Sequence, residues 1–376
     1  MEQEFLIKNI IDKSYNKLFL IADIHLGVRN NSLEWIDNIK NYFYNFLTPT
    51  LKNNISTNDN PCLIVLGDVF DNRQTMDINV MNIAFDLFID ISKILNIIIL
   101  TGNHDIYKKI NNDINSLRFL KTINNITVIE KPTILRLNNN LMEKPLNIGI
   151  IPWLGYHKVE SSYISENDID YAMMHTDITG LTFDNGRIIY SGVTTNLFKG
   201  KKIFSGHIHK RQESKRIIYV GSPYQLRRSD IGNDKGIYEF DVINETLKFH
   251  KNDYSPKFLR IKLEDILDYN LDKVQNIFNN NYIYIIISNK YVKQFNTSKL
   301  LNVLQNCNYK KIEFVVDKND DQQLNINENI VITDNLSEQL ISEIKGLDIS
   351  DKNKDLLIKL NEYYLNNAKL ELNNEN

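Results

Sequence analysis

Five short polar clusters, each at or just after an apolar run, hold the residues of this chain best equipped for chemistry. They are Asp23-Ile24-His25, Gly67-Asp68-Val69-Phe70-Asp71, Gly102-Asn103-His104-Asp105, His175, and Gly206-His207-Ile208-His209. Five of the seven histidines belong to this set. A lone Asp-x-His or His-x-His is often no more than a satisfied polar residue at a strand end. Carboxylates, an amide and imidazoles arriving together, in this order, are the donor mixture of a divalent-cation site. It suits Mn²⁺, Fe²⁺ or Zn²⁺, with Mg²⁺ less favoured by so many nitrogens. The alternation in Asp23-x-His25 and His207-x-His209 lets two side chains leave an extended segment on the same side. A carboxylate such as Asp68 has two oxygens and can bridge two cations, which two-metal hydrolases hold about 3.5–4 Å apart. That is the chemistry of phosphoester cleavage. The chain has no GxxxxGK[ST] loop, so it is not expected to be an ATPase itself.

The clusters need elements to carry them to one place. From residue 17 the sequence alternates short apolar runs with helix-period stretches, the pattern of strands buried between helical layers. Runs at residues 18–22, 62–66 and 97–100 each end in one of the clusters. Ser32 is placed as an N-cap, and Trp35, Ile36, Ile39, Phe43 and Leu47 recur at helical spacing up to Pro49. Later runs at 148–151, 170–174, 202–204, 217–220 and 236–242 follow with fewer intervening helices. Two packed mixed sheets flanked by helices are predicted. A boundary is placed near residues 253–256. It is followed by a β-α-β-α-β module, with strands at 258–263, 282–288 and 312–317 and helices at 271–278 and 297–307. Beyond the polar stretch 318–328, two amphipathic helices are expected, the second capped by Asp351 and carrying Leu356, Leu360 and Tyr363.

Composition bounds the function classes. With 376 residues, 42% of them apolar, the chain can bury a full core. A formal charge of -3 excludes a polybasic tail, so any DNA contact must come from local patches. Cys62 and Cys307 are far apart and form neither a disulfide framework nor a thiolate zinc site. Residues 1–13 hold no apolar run of signal-peptide length and no later run approaches a membrane span. A soluble, cytoplasmic protein that needs no membrane is expected.

In their residues and order, the five clusters resemble the calcineurin-like metallophosphoesterase superfamily. Within it, DIHLG, GDVFD, GNHD and GHIH followed by Gln212 are similar to SbcD, to the meiotic-recombination nucleases and to their T-even phage counterparts. The resemblance implies an α/β four-layer sandwich over residues 1–253, a DNA-binding cap over 254–330 and C-terminal helices over 331–376. It implies that Asp23, His25, Asp68 and His209 hold one metal and that Asp68, Asn103, His175 and His207 hold the other, both most naturally Mn²⁺. His104 would be an acid or transition-state stabiliser beside the metals rather than a ligand to them, with Asp105 a candidate for the neighbour that positions it. The implied activity is exonuclease and endonuclease cleavage of DNA, at double-strand ends and on single strands, without a covalent enzyme intermediate. The implied partner is an SbcC-like coiled-coil ATPase seated on the C-terminal helices. The implied assembly is a homodimer within a heterotetramer, formed through helices at 35–47 or 79–95. An AT-rich coding bias and the phage counterparts favour a phage source, hence the host-cell cytoplasm. Against the protein Ser/Thr phosphatases, whose motifs resemble GDxxDRG and GNHE, residues 67–73 and 102–105 depart from the pattern and make a phosphoprotein substrate less suitable.

Two other classes fit parts of the sequence: a small-molecule phosphodiesterase using the same metals, and a non-catalytic DNA-binding scaffold. The cap-like module argues against the first and the full donor set against the second. Trp35, Tyr42, Phe43 and Phe46 are read as helix core, Trp153 as structural, and His157 and His250 as ordinary packing histidines. The Gly221-Ser222-Pro223-Tyr224 turn is read as punctuation rather than chemistry.

Overall fold

The structure is a computed structural model that describes residues 9–109, 112–288 and 307–316 and the single positions 304 and 359. These residues fall into two compact units, one running to Leu259 and taking in Asn279–Tyr282, the other holding Arg260–Phe278 and the described residues from Ile283 onward. The first unit carries all five clusters. Its strands are β1 (Asn9–Lys13), β2 (Lys17–Ile21), β3 (Pro61–Val65), β4 (Asn96–Leu100), β5 (Ile126–Ile129), β6 (Thr133–Leu137), β7 (Leu146–Ile151), β8 (Tyr171–His175), β9 (Lys202–Gly206), β10 (Gln212–Glu213), β11 (Ile217–Tyr219), β12 (Gly236–Asp241) and β13 (Thr246–Lys251). They form a seven-stranded sheet, β1-β6-β7-β8-β9-β11-β10, and a six-stranded sheet, β13-β12-β2-β3-β4-β5.

Both sheets are mixed, as the sequence pattern predicts. The strands that lead into the clusters run parallel to one another: β2, β3 and β4 in one sheet, with β5 alongside, and β8 and β9 in the other, with β7 alongside. Every cluster therefore leaves the carboxyl end of a strand near the middle of its sheet, on the same edge of that sheet as its neighbours. Period-two alternation assigns the two faces. Leu18, Leu20, Cys62, Ile64, Ile98 and Leu100 point inward, where they meet Leu135, Ile148, Ile150, Tyr171, Met173, Phe204, Tyr238 and Phe240 in one core. Ala172, Met174 and Ile203 point the other way, into a second cluster with Tyr163 and Ile164 of the helix His157–Glu166. The same parity puts His175, two residues past Met173, on the inner face.

The helix Leu33–Tyr42 buries Trp35, Ile36, Ile39 and Tyr42. Ser32 occupies its N-cap position, but its side chain makes no capping hydrogen bond. Nor does the helix stop at Pro49. It passes through a π-helical turn, Phe43–Leu47, into Thr48–Asn54, which places the proline at the start of a new segment. A wider turn there leaves room for the ring and has no use for its missing N–H. The helix Ile78–Ser92 is capped by Asp77, whose carboxylate accepts from the N–H groups of Asn79 and Val80.

A third sheet has the order β14-β15-β16, from β14 (Phe258–Lys262), β15 (Tyr282–Ile287) and β16 (Lys311–Val316), with helices at Leu263–Leu267 and Leu271–Phe278. Three strands and the first helix of the predicted β-α-β-α-β module are thus present. The predicted helix at 297–307, apart from positions 304 and 307, and the C-terminal helices with Tyr363 and Tyr364 lie outside the described residues. Cys62 and Cys307 are both free and buried. Among the described residues no helix is long and apolar enough to cross a membrane.

Candidate metal centre

At the strand ends the backbone bends sharply into the clusters, and four of the seven predicted ligands sit in the left-handed region: Asp23 (φ 53), His25 (φ 50), Asp68 (φ 53) and His207 (φ 87). Non-glycine residues accept that conformation only where surroundings impose it. Here the imposition comes from the close approach of the two sheets. Gly67 has φ 84 and a Cβ on it would lie 2.4 Å from Nδ1 of His175, while a Cβ on Gly206 would lie 2.2 Å from the Leu66 carbonyl oxygen. The glycines that precede Asp68 and His207 therefore let one sheet's loops enter the other's.

All seven predicted ligands converge, and all except His207 are buried. Ligand atoms of Asp23, His25 and His209 lie within 4.8 Å of one another, as do those of Asp68, His175 and His207. In the first group, Nδ1 of His25 lies 3.1 Å from Oδ1 of Asp71, so its Nε2 faces Nε2 of His209, 2.9 Å away. In the second, His175 donates from Nδ1 to the Leu66 carbonyl at 2.7 Å, aiming Nε2 at Oδ1 of Asn103 (3.1 Å) and Oδ1 of Asp68 (3.3 Å). His207 points Nδ1 at the same Asn103 oxygen, 2.7 Å away, and Nε2 at Asp177, 3.2 Å away. Asp68 stands between the groups. Its Oδ1 faces His175, and its Oδ2 lies 3.7 Å from Nε2 of His25.

His104 also falls within reach of His25 and Asp68. Both of its ring nitrogens are engaged elsewhere: Nδ1 donates to the Asp71 carbonyl at 2.6 Å, and Nε2 accepts from Nη2 of Arg73 at 2.7 Å. This keeps the ring beside the centre without a nitrogen free for a cation. The backbone N–H of His104 holds Asp68 Oδ1 at 2.8 Å. The neighbour that positions the imidazole is not Asp105, as the sequence suggested, but Asp71 and Arg73. Asp105 faces inward and is fully engaged by backbone: Oδ1 accepts from the N–H groups of Val69 and Phe70, each at 3.1 Å, and Oδ2 from that of Gly102 at 2.9 Å. It ties the Asp68 loop to the Asn103 loop.

Several supports escaped the sequence reading. Trp153 is more than structural filler, since its ring lies 4.9 Å from that of His207 and 6.2 Å from that of His175. Asp177, two residues past His175, orients His207. Arg227 donates to Nδ1 of His209 and lies 3.3 Å from Asp184, and Gln212 closes a hydrogen-bonded ring with Thr182. Trp35, Tyr42 and Phe43 are buried as expected.

Charge in the centre is unbalanced. Burial, reinforced by Asp68, pushes Asp23 up to about 6, and burial with the same neighbour pushes Asp105 up to about 7. Asp68 goes the other way: burial would raise it, but His175 and His25 hold it well below the ordinary carboxylate range. Burial would lower His175, yet Asp68 carries it up to about 9, whereas burial takes His104 down to about 4. Oδ2 of Asp23 is buried with no hydrogen-bond partner, and the two facing Nε2 atoms of His25 and His209 need a proton or a cation between them. The donor set and these unmet groups fit divalent cations.

Residues 17–211, just over half of the chain, match the family model described as calcineurin-like phosphoesterase. The chain is also similar to exonuclease subunit 1 of Enterobacteria phage T4, at 24% identity over 352 residues, which cover 91% of this chain and 96% of that protein.

Proposed function

The chain belongs to the calcineurin-like phosphoesterase family, and on that footing we propose that it is the nuclease subunit of a DNA end-processing complex, hydrolysing phosphodiester bonds with two divalent cations, Mn²⁺ foremost. The observation that carries this reading is the placement of Asp68, whose two carboxylate oxygens face two different donor groups. Asp23, His25, Asp68 and His209 would hold one cation, and Asp68, Asn103, His175 and His207 the other. When bound, the two cations supply positive charge against the phosphate and make a water acidic enough to attack near neutral pH. The protein's own groups do the rest. Asp71 and Asp177 fix the tautomers of His25 and His207 so that the correct nitrogen faces inward. The His104 ring, neutral because burial has lowered it, is held by the Asp71 carbonyl, and the Arg73 guanidinium on its Nε2 brings positive charge to where the phosphate's charge develops.

The phage relative's name, an exonuclease and a subunit, supports both a nucleic acid as the substrate and a partner chain. The partner would be an SbcC-like ATPase binding residues 331–376, with 254–330 contacting DNA. A homodimer would use the helices Leu33–Tyr42 and Ile78–Ser92, on which Leu33, Ile78 and Phe85 are exposed. The test is Mn²⁺-dependent nucleotide release from end-labelled duplex and single-stranded DNA, for wild type, Asp68→Ala and His104→Ala, with and without such an ATPase. Cleavage needing both residues supports the reading. Hydrolysis of small phosphodiesters with no DNA cleavage in any pairing would replace it with a small-molecule enzyme.

A further inference from the structure

Lys235 lies in the interior of the first unit, 4% exposed, and its ammonium makes three directed contacts there. It donates to the carbonyl oxygen of His209 at 2.5 Å, to Oγ of Ser222 at 3.1 Å and to Oδ1 of Asp230 at 2.8 Å. Asp230 is equally buried, and its second oxygen accepts from the N–H groups of Leu226 (2.9 Å) and Arg227 (3.1 Å). The pair thus closes residues 222–235 into one braced segment. Three further contacts leave that segment for the metal centre. The Ser222 N–H donates to the same His209 carbonyl at 3.1 Å, Arg227 reaches Nδ1 of His209, and the Tyr224 hydroxyl donates to the carbonyl of Ile24, between Asp23 and His25, at 2.5 Å.

Burying an ion pair carries a desolvation cost for each ion, and well-packed apolar residues commonly give equal or better stability. What apolar residues cannot supply is a set of directed N–H donors to a carbonyl and a hydroxyl. The contacts leaving the segment for ligand loops fall on His209 and Ile24, which belong to one donor group. The other group is held differently, His175 through the Leu66 carbonyl and His207 through Asp177. We propose that the Lys235–Asp230 pair, with Tyr224, is the positioning element for the Asp23/His25/His209 cation alone. Its role is to hold the two Nε2 atoms of His25 and His209 facing each other, and the inference rests on the two-cation reading above.

The experiment measures Mn²⁺ binding by calorimetry and electron paramagnetic resonance on the full chain, beside the metal-free thermal midpoint. The variants are Lys235→Met and the milder Tyr224→Phe, each alone and combined with His209→Ala or Asn103→Ala, which mark the two positions. Wild type should bind two ions. Binding of none would sink the two-cation reading itself and so be distinguishable from failure of this inference. Lys235→Met is expected to weaken one ion by about 10–100-fold and leave the other at wild-type affinity, turning a coupled dimanganese spectrum into that of an isolated ion. The loss should vanish in the His209→Ala background and persist in the Asn103→Ala background. Tyr224→Phe, which leaves the ion pair intact, should weaken the same ion by a smaller factor, and it decides the matter where Lys235→Met does not fold. Variants that bind both ions as wild type does, or that weaken both together in step with a lower midpoint, would overturn the assignment and leave the pair a general structural feature.

Discussion

Asp105 sits beside His104 in a motif that invites a catalytic reading, and Asp105→Asn separates the two possibilities. The carboxylate is 1% exposed and accepts from three backbone N–H groups on two ligand loops. The amide oxygen of asparagine can keep the bonds to Val69 and Phe70, but its –NH₂ then meets the Gly102 N–H at 2.9 Å, donor against donor. A buried donor left unmet costs about 1–3 kcal/mol. Because burial pushes this carboxyl up to about 7, it is only partly ionised at neutral pH. The charge-assisted share of its bonds is correspondingly reduced, so about 2 kcal/mol is the expected loss. Asp105→Ala orphans all three donors and, on the same scale, loses roughly three times that, about 6 kcal/mol, a large part of an ordinary domain's 5–15 kcal/mol. Urea unfolding of metal-free protein gives the first number, and turnover at rising Mn²⁺ gives the functional counterpart. Asp105→Asn should need more Mn²⁺ yet approach wild-type turnover once saturated, because its fault is loop placement. A variant as stable as wild type, binding Mn²⁺ as tightly, but without turnover at saturation would refute this and return Asp105 to proton chemistry.

His104→Ala is expected to lower kcat by about 10²–10⁴-fold while both ions stay bound, whereas Asp68→Ala should lose both; equal metal loss in the two variants would contradict the division of roles. Asp23→Asn keeps a side chain that tolerates left-handed backbone and can still accept from the His207 N–H, but removes a buried carboxylate oxygen without a partner. The metal-free variant should be at least as stable as wild type, with Mn²⁺ binding weakened about tenfold or more. A clearly lower metal-free midpoint would count against the view that the site strains the fold. Behind the centre, next to Trp153 and Thr176, the hydrogen bond to the buried Glu160 raises His157 above 6.5, against a smaller opposing effect of burial. A raised folded-state value means that His157 adds stability that is complete below about 6.5 and fades as pH rises through the folded value. The midpoint gap between wild type and His157→Gln should therefore narrow from pH 6 toward alkaline pH; a gap that widens would reverse the sign.

The candidate ligands were legible in the sequence because each stands at the end of a parallel strand, where a run such as Leu18 to Ala22 stops at a polar residue, and because period two fixes the face. The same logic found the central strands and missed the outer ones. β1, β5 and β13 are edge strands and β6 lies beside β1, and β13 alternates only between half-buried and exposed positions, so its pattern barely rises above a loop's. Pro49 misled for a local reason, since a π-helical turn immediately before it removes the penalty that normally stops a helix. The supporting residues were hidden by chain distance. Lys235 meets the His209 carbonyl 26 positions away, and Tyr224 reaches Ile24 across 200. Neither spacing repeats, and a Gly-Ser-Pro-Tyr turn reads as punctuation until its hydroxyls acquire partners. Asp105 failed in the opposite direction, because adjacency in sequence implied contact with the His104 ring, while the backbone turn sends the two side chains to different neighbours. A site of this kind shows its donors in one dimension because cation chemistry restricts them to a few residue types. Its second layer stays hidden because any donor or acceptor that reaches the right backbone atom will serve.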